Sequence, residues 1–174
     1  MKPISPQRGI SVHNAGCVLL STYFPMLFER LGLMANHSFL NEEAQQQAVH
    51  YLQYVVTGLS STEESLLPLN KVLCGLPIAQ PIIQGINISE EHIDLINGLI
   101  NAAMGYWPAI GSSSVDGFRG NWLVRDGLLT EHGDKWELTV EKRAYDLLIH
   151  RSPFSFSIIK YPWMDKPLHV TWPY

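Results

Sequence analysis

The chain has 174 residues, with 12 Lys and Arg against 16 Asp and Glu, a formal net charge of −4. Hydrophobic residues make up 46% and charged residues only 16%, against about 25% charged in ordinary soluble domains. The apolar fraction excludes disorder driven by polarity and self-repulsion. Mild acidity argues against nucleic-acid binding, which needs a basic excess on one face, and the length fits one domain.

The charge is missing in blocks. No Asp, Glu, Lys or Arg lies between Arg8 and Glu29, between Asp94 and Asp116, or between Arg151 and Lys160, and Lys71 alone is charged from Ser65 to Ser89. None of these blocks reads as a membrane span, which needs about 20 mostly apolar residues; the first holds His13, Asn14, Ser21, Thr22 and Pro25. The start MKPISPQRGI has no apolar run of the signal-peptide kind, so a cytosolic protein is expected. Cys17 and Cys74 lie in CVLL and VLCGL, too few for a disulfide framework, and read as reduced, buried small hydrophobes.

In chain order, residues 1–12, with Pro3, Pro6 and Gly9, read as an extended lead-in. Asn14 opens a helix whose Val18, Leu19, Thr22, Tyr23, Met26, Leu27 and Leu31 share a face. Pro25 splits or kinks it, and Gly32 stops it. Asn41, followed by Glu42 and Glu43, caps a second helix that ends at Gly58. A short helix starts at Pro68 and closes near Cys74. PIAQPIIQGINI is an extended connection. Ser89 opens a further helix that Pro108 stops, and Ser114 caps a short one. Residues Leu128–Thr130 and Trp136–Val140 flank EHGDK as a hairpin. A short helix over Ala144–Ile149 follows, then a strand carrying Phe154, Phe156 and Ile158 at period 2, and a last strand in LHVTW. Helices first and strands afterwards predict one α+β domain over residues 13–174, mainly helical over 13–125 and β-rich over 126–174: a bundle of about four helices and then a small antiparallel sheet.

Signatures of chemistry are missing. The sequence has no P-loop, GxSxG, HExxH, CxxC or GxGxxG, and its seven His residues show no zinc-ligand spacing. No metal and no cofactor are expected. The paired acids Glu42–Glu43, Glu63–Glu64 and Glu90–Glu91 are adjacent, so on a helix they do not face each other and read as first-turn dipole partners.

Two clusters stand out. In SVDGFRGNWL, Asp116 and Arg119 are three apart, spacing that suits either a local ion pair at a helix start or a fixed contact to a partner. In IIKYPWMDKPLHVTWPY, Trp163, Met164 and Trp172 read either as the lid of the core or as an aromatic interface. Trp107, Asp116, Arg119, Trp163, Met164 and Trp172 are therefore the partner-interface candidates.

VHNAGCVLLSTYFPMLFERLGL, AVHYLQYVVTG, LNKVLCGLP, SVDGFRGNWL and IIKYPWMDKPLHVTW, in this order and spacing, resemble the C-terminal domain of the tape measure proteins of contractile injection systems, the phage-tail-like particles of bacteria. The resemblance runs from about residue 11 to the end. It implies a non-enzymatic structural role: a tape measure protein lies in the lumen of the growing inner tube and sets its length, with one end held at the baseplate or hub. Relatives carry long sequence before this domain, so the chain is either such a domain excised or a short form. The family's recurrent Asn14, Asn70, Asp116 and Trp163 become structural or interfacial, and partners become hub, baseplate, inner-tube or cap proteins, or a second copy of the chain. They exclude nucleic acid and membrane. Assembly takes place in the cytoplasm, with the finished particle as the later location. Two other readings are a particle-borne hydrolase, for example peptidoglycan-active, with His13, Glu91 and Asp116 as nominal acid/base groups, and an assembly chaperone or adaptor absent from the finished particle.

Overall fold

A computed structural model describes residues 9–173. It is an α+β unit, as expected, with a five-stranded sheet in the order β1-β4-β5-β7-β6 and a separate two-stranded hairpin. Most of the expected lead-in lies outside the described residues. Its end, Ile10–Val12, is strand β1 and pairs antiparallel with β4 (Gly127–Glu131). Nothing in residues 9–173 forms a helix long and apolar enough to cross a membrane.

The first predicted helix is split where Pro25 falls. Ala15–Tyr23 is a buried 3₁₀ segment, and α1 (Phe24–Arg30) begins with Pro25 in its first turn, where a missing N–H leaves no bond unmade. The tight 3₁₀ winding accompanies a backbone contact: a Cβ on Gly16 would sit 1.7 Å from the Trp122 carbonyl oxygen. Asn14 stands at the start of this segment but makes no side-chain cap. Its amide donates to Gln53 (2.8 Å) and to Asn70, and Asn70 donates to the Val49 carbonyl (2.9 Å). These buried amides tie the segment to α2 (Glu42–Thr57) and α3 (Pro68–Leu73).

Between α1 and α2 lies a hairpin the sequence did not announce, β2 (Met34–Ala35) and β3 (Ser38–Phe39). Its two-residue loop has φ 53° at Asn36 and 65° at His37, the pair of positive angles that a tight hairpin turn demands. The predicted caps of the longer helices are in place. The Asn41 Oδ1 accepts from Ala44 N (2.7 Å) and Gly58 ends α2 at φ 76°. The Ser89 Oγ accepts from His92 N (3.2 Å) to open α4 (Glu90–Gly105). The Ser114 Oγ does the same for α5 (Val115–Phe118), which runs directly into one π-helical turn over Arg119–Leu123.

The hairpin of β4 and β5 (Trp136–Val140) has the predicted register region, but the sheet is mixed, not wholly antiparallel. Strand β7 (Leu168–Thr171) lies parallel to β5, and β6 (Ile158–Ile159) antiparallel to β7. The strand expected to include Phe154 and Phe156 is confined to Ile158–Ile159. Phe154 packs edge-on to Tyr23 and Trp107, and Phe156 on Trp172, so each ring is held by tertiary packing with no ladder. Ala144–Arg151 is a 3₁₀ segment.

The two halves are fastened by a buried ion pair. Arg125 and Asp146 are both fully buried, with Nη1–Oδ2 at 2.7 Å and Nη2–Oδ1 at 2.9 Å. The guanidinium also donates to the carbonyls of Asn121 (2.9 Å) and Glu141 (3.1 Å). It lies 5.1–5.6 Å from the rings of Trp122, Tyr145 and Trp172. The carboxylate accepts further from the Trp172 indole (2.8 Å) and the Arg143 backbone N–H (2.9 Å). Burial pushes the Asp146 carboxyl up, but Arg125 and the other donors outweigh it and hold it below its ordinary 3.8. The contribution of its ionised form is therefore complete above that ordinary value and falls away as pH drops through the lower folded value. Asp146→Asn is expected to lose about 3–5 kcal/mol at neutral pH, the cost of leaving a buried charge unpaired, as read by urea denaturation with tryptophan fluorescence. The gap between parent and variant should narrow when the same titration is run below pH 3.8.

Candidate partner interface

The fold distributes the six singled-out residues over separate sites. Trp107, just past α4, is fully buried. Its indole donates to the Leu148 carbonyl (3.0 Å), and its ring meets Trp122 at 4.5 Å between centroids. Trp172 is buried against Arg125 and Asp146. Met164 is buried, its sulfur accepting from Tyr161 N at 3.4 Å. Trp163 is half-buried. Its indole donates to the Leu73 carbonyl (2.8 Å) at the end of α3, and its ring stacks on Tyr161 and meets Phe39 edge-on. Gly75 makes room for this, since a Cβ there would come within 2.3 Å of the Trp163 carbonyl oxygen.

Asp116 and Arg119 do pair, at 3.1 Å. The Arg119 side chain is buried and turned inward: Nε donates to Val55 O (3.1 Å), Nη2 to Tyr54 O (3.2 Å), and the guanidinium lies over the Tyr54 ring. It thus satisfies carbonyls in the last turn of α2, where a cation also complements the helix dipole. The Asp116 carboxylate is 91% exposed. Asn14 and Asn70, far apart in sequence, are brought together in the core.

The nominal acid/base groups do not converge. His13 Nδ1 lies 2.7 Å from Asp126 Oδ1 on the surface, and this hydrogen bond is the chief cause holding the Asp126 carboxyl below its usual range. Asp116 is with Arg119, and Glu91 sits in the first turn of α4. No hydrogen bond or ion pair joins any two of His13, Glu91 and Asp116 among the described residues. No group of three His, Cys, Asp or Glu within residues 9–173 is placed to hold a metal. Both cysteines are buried, and burial pushes the Cys17 thiol up to about 12, the opposite of an activated nucleophile.

The apolar surface lies elsewhere. Leu40, Leu59, Leu147 and Ile158 are exposed singly. Met26 and Tyr106 are also exposed and border one shared feature, a trough of about 460 Å³ between α1 and α4, floored by Leu27, Leu95 and Leu99. A second groove of about 980 Å³ runs between the loop after α3 and the β4–β5 turn. There Lys166 bonds Glu131 (2.8 Å) and lies over Trp136. Met26 and Tyr106 are the residues sequence reasoning passed over. Their signal was present, since Met26 falls in the uncharged block before Glu29 and Tyr106 in the one after Asp94.

Residues 2–172, nearly the whole chain, match a family model described as contractile injection system tape measure protein. No curated protein matches, and no solved structure matches. Trp107→Ala is expected to destabilise the fold by about 3–5 kcal/mol, the usual cost of emptying a buried Trp site. Trp163→Phe keeps a ring and removes the bond to Leu73, so it should cost about 1 kcal/mol. Equilibrium unfolding of both variants checks the ranking.

Proposed function

The chain belongs to the contractile injection system tape measure protein family, and on that premise we propose that it is a non-enzymatic assembly domain. It docks a tape measure protein onto a hub, inner-tube or cap component while tube length is set. The observation that carries this reading is the family match along residues 2–172. The dispersal of the nominal acid/base groups supports the non-enzymatic part of it. The helical portion to residue 125 and the β-rich portion after it act as one unit, supported by the Arg125–Asp146 clamp between them. Assembly takes place in the cytoplasm, and the domain then lies within the particle.

Docking uses surface, not the buried tryptophans. Of the six sequence candidates, Asp116 and the half-buried Trp163 retain atoms that a partner reaches. Pull-downs of the purified chain against each particle protein, with light scattering for self-association, test the proposal. Capture of a hub, tube or cap protein, or formation of an oligomer, is expected. A strict monomer that binds none of them at high concentration refutes it. Mass spectrometry of purified particles then separates a resident component, which is the expected result, from an adaptor that leaves before completion.

A further inference from the structure

We infer that the trough between α1 and α4 is the seat of one helix from another particle protein, a helix with an apolar face and a basic end. This inference rests on the docking role proposed above and names the surface. The walls are two helices, and the floor is Leu27, Leu95 and Leu99. A trough between two helices presents the ridges and grooves that a third helix packs into. From Asp94 to Tyr106 it is twelve residues long, about 18 Å at 1.5 Å per residue, so it takes roughly three helical turns.

Gly98 supplies an independent reason. It lies in the middle of α4, on the trough, and nothing in the chain comes within 4 Å of where its Cβ would be. A mid-helix glycine costs about 0.5–1 kcal/mol relative to alanine, and no contact inside this fold requires one here. An approaching backbone from outside does. Ala102, one turn further on, keeps the same wall low.

Charge sets the direction of the occupant. Arg30 and Asp94 stand on the trough, and exposed Glu91 lies one turn before Asp94 on α4, with exposed Glu29 beside Arg30. Three carboxylates against one guanidinium favour a Lys or Arg at that end of the visitor. Tyr23 and Tyr106 also line the trough. Both are neutral at physiological pH, Tyr23 being raised in pKa by burial and then by Tyr106.

The test places a photo-crosslinking amino acid, p-benzoylphenylalanine, at Met26 and separately at Leu147, which is outside the trough, in the full chain inside cells that assemble the particle. Crosslinked peptides are then sequenced. The expected result is a crosslink from position 26 to an amphipathic segment of another particle protein with Lys or Arg at one end. Its yield should fall at least tenfold with Gly98→Leu and severalfold with Asp94→Lys. The thermal midpoint of purified Gly98→Leu should equal or exceed that of the parent, because leucine is the better helix former and the space is open. Should that variant unfold instead, Asp94→Lys, an exposed change, carries the test alone. Crosslinks from position 26 to a second copy of this chain, or to an extended segment, overturn the inference. Crosslinks to particle proteins from position 147 with none from 26 overturn it while leaving the docking role standing. None from either position removes both.

Discussion

A single buried cation organises the second half of this molecule. Arg125 comes directly after the π-helical turn that closes the helical portion, and its partner Asp146 opens the 3₁₀ segment beyond the β4–β5 hairpin. Removing both from water is expensive, and the attraction offsets that cost only because the geometry is bidentate and the remaining acceptor sites are filled. Three aromatic rings exclude solvent from the guanidinium and face it with electron density. An apolar replacement of similar volume would fill the same space. What it would lack is direction: the Trp172 indole finds Asp146 only when β7 ends at the correct place, so the pair fixes where the last strand stops.

The shortage of charge acquires a physical address. Lys71, Arg119 and Arg125 are all buried, and each is spent mainly on backbone carbonyls: Ile78 and Gln80 for Lys71, Tyr54 and Val55 for Arg119, Asn121 and Glu141 for Arg125. These cations act as caps for segments whose carbonyls have no helix or strand to receive them. Only Asp146 among the acids is buried with them, so the outer surface is more acidic than the formal −4 suggests. A surface of that sign favours basic partners, and it makes the two uncharged helical walls stand out against their surroundings.

Local features were legible in the sequence, and distant pairings were not. Asn41, Ser89 and Ser114 announce helix starts because a cap involves residues three apart; Pro25 and Gly58 punctuate for equally local reasons. The parallel pairing of β5 with β7 and the recruitment of β1 beside β4 join segments with no periodic signal of their own, and β1 and β6 are three and two residues long. Asn14 misled in an instructive way. A polar residue before an apolar run suits a helix cap, yet its amide is committed to Gln53 and Asn70, a destination that only the tertiary arrangement reveals. The tryptophans carried the same ambiguity in stronger form. An aromatic-rich, proline-punctuated end has one composition whether it lids a core or meets a partner, and burial decides between them.

The C-terminal segment reaches back across nearly the whole chain. Tyr161 donates to the Ser21 carbonyl, Trp163 to Leu73, and Trp172 to Asp146. On the ribosome, therefore, the helices emerge long before the residues that seal them. Until residues 158–172 are released, Leu73 lacks its donor, β5 lacks its parallel neighbour and the ring cluster around Phe28 and Phe39 lies open. Contacts of such long sequence separation form slowly, and the waiting intermediate exposes apolar helix faces to its surroundings. Completion of this domain is thus a late event in synthesis, which ties its readiness for assembly to the finishing of its own polypeptide.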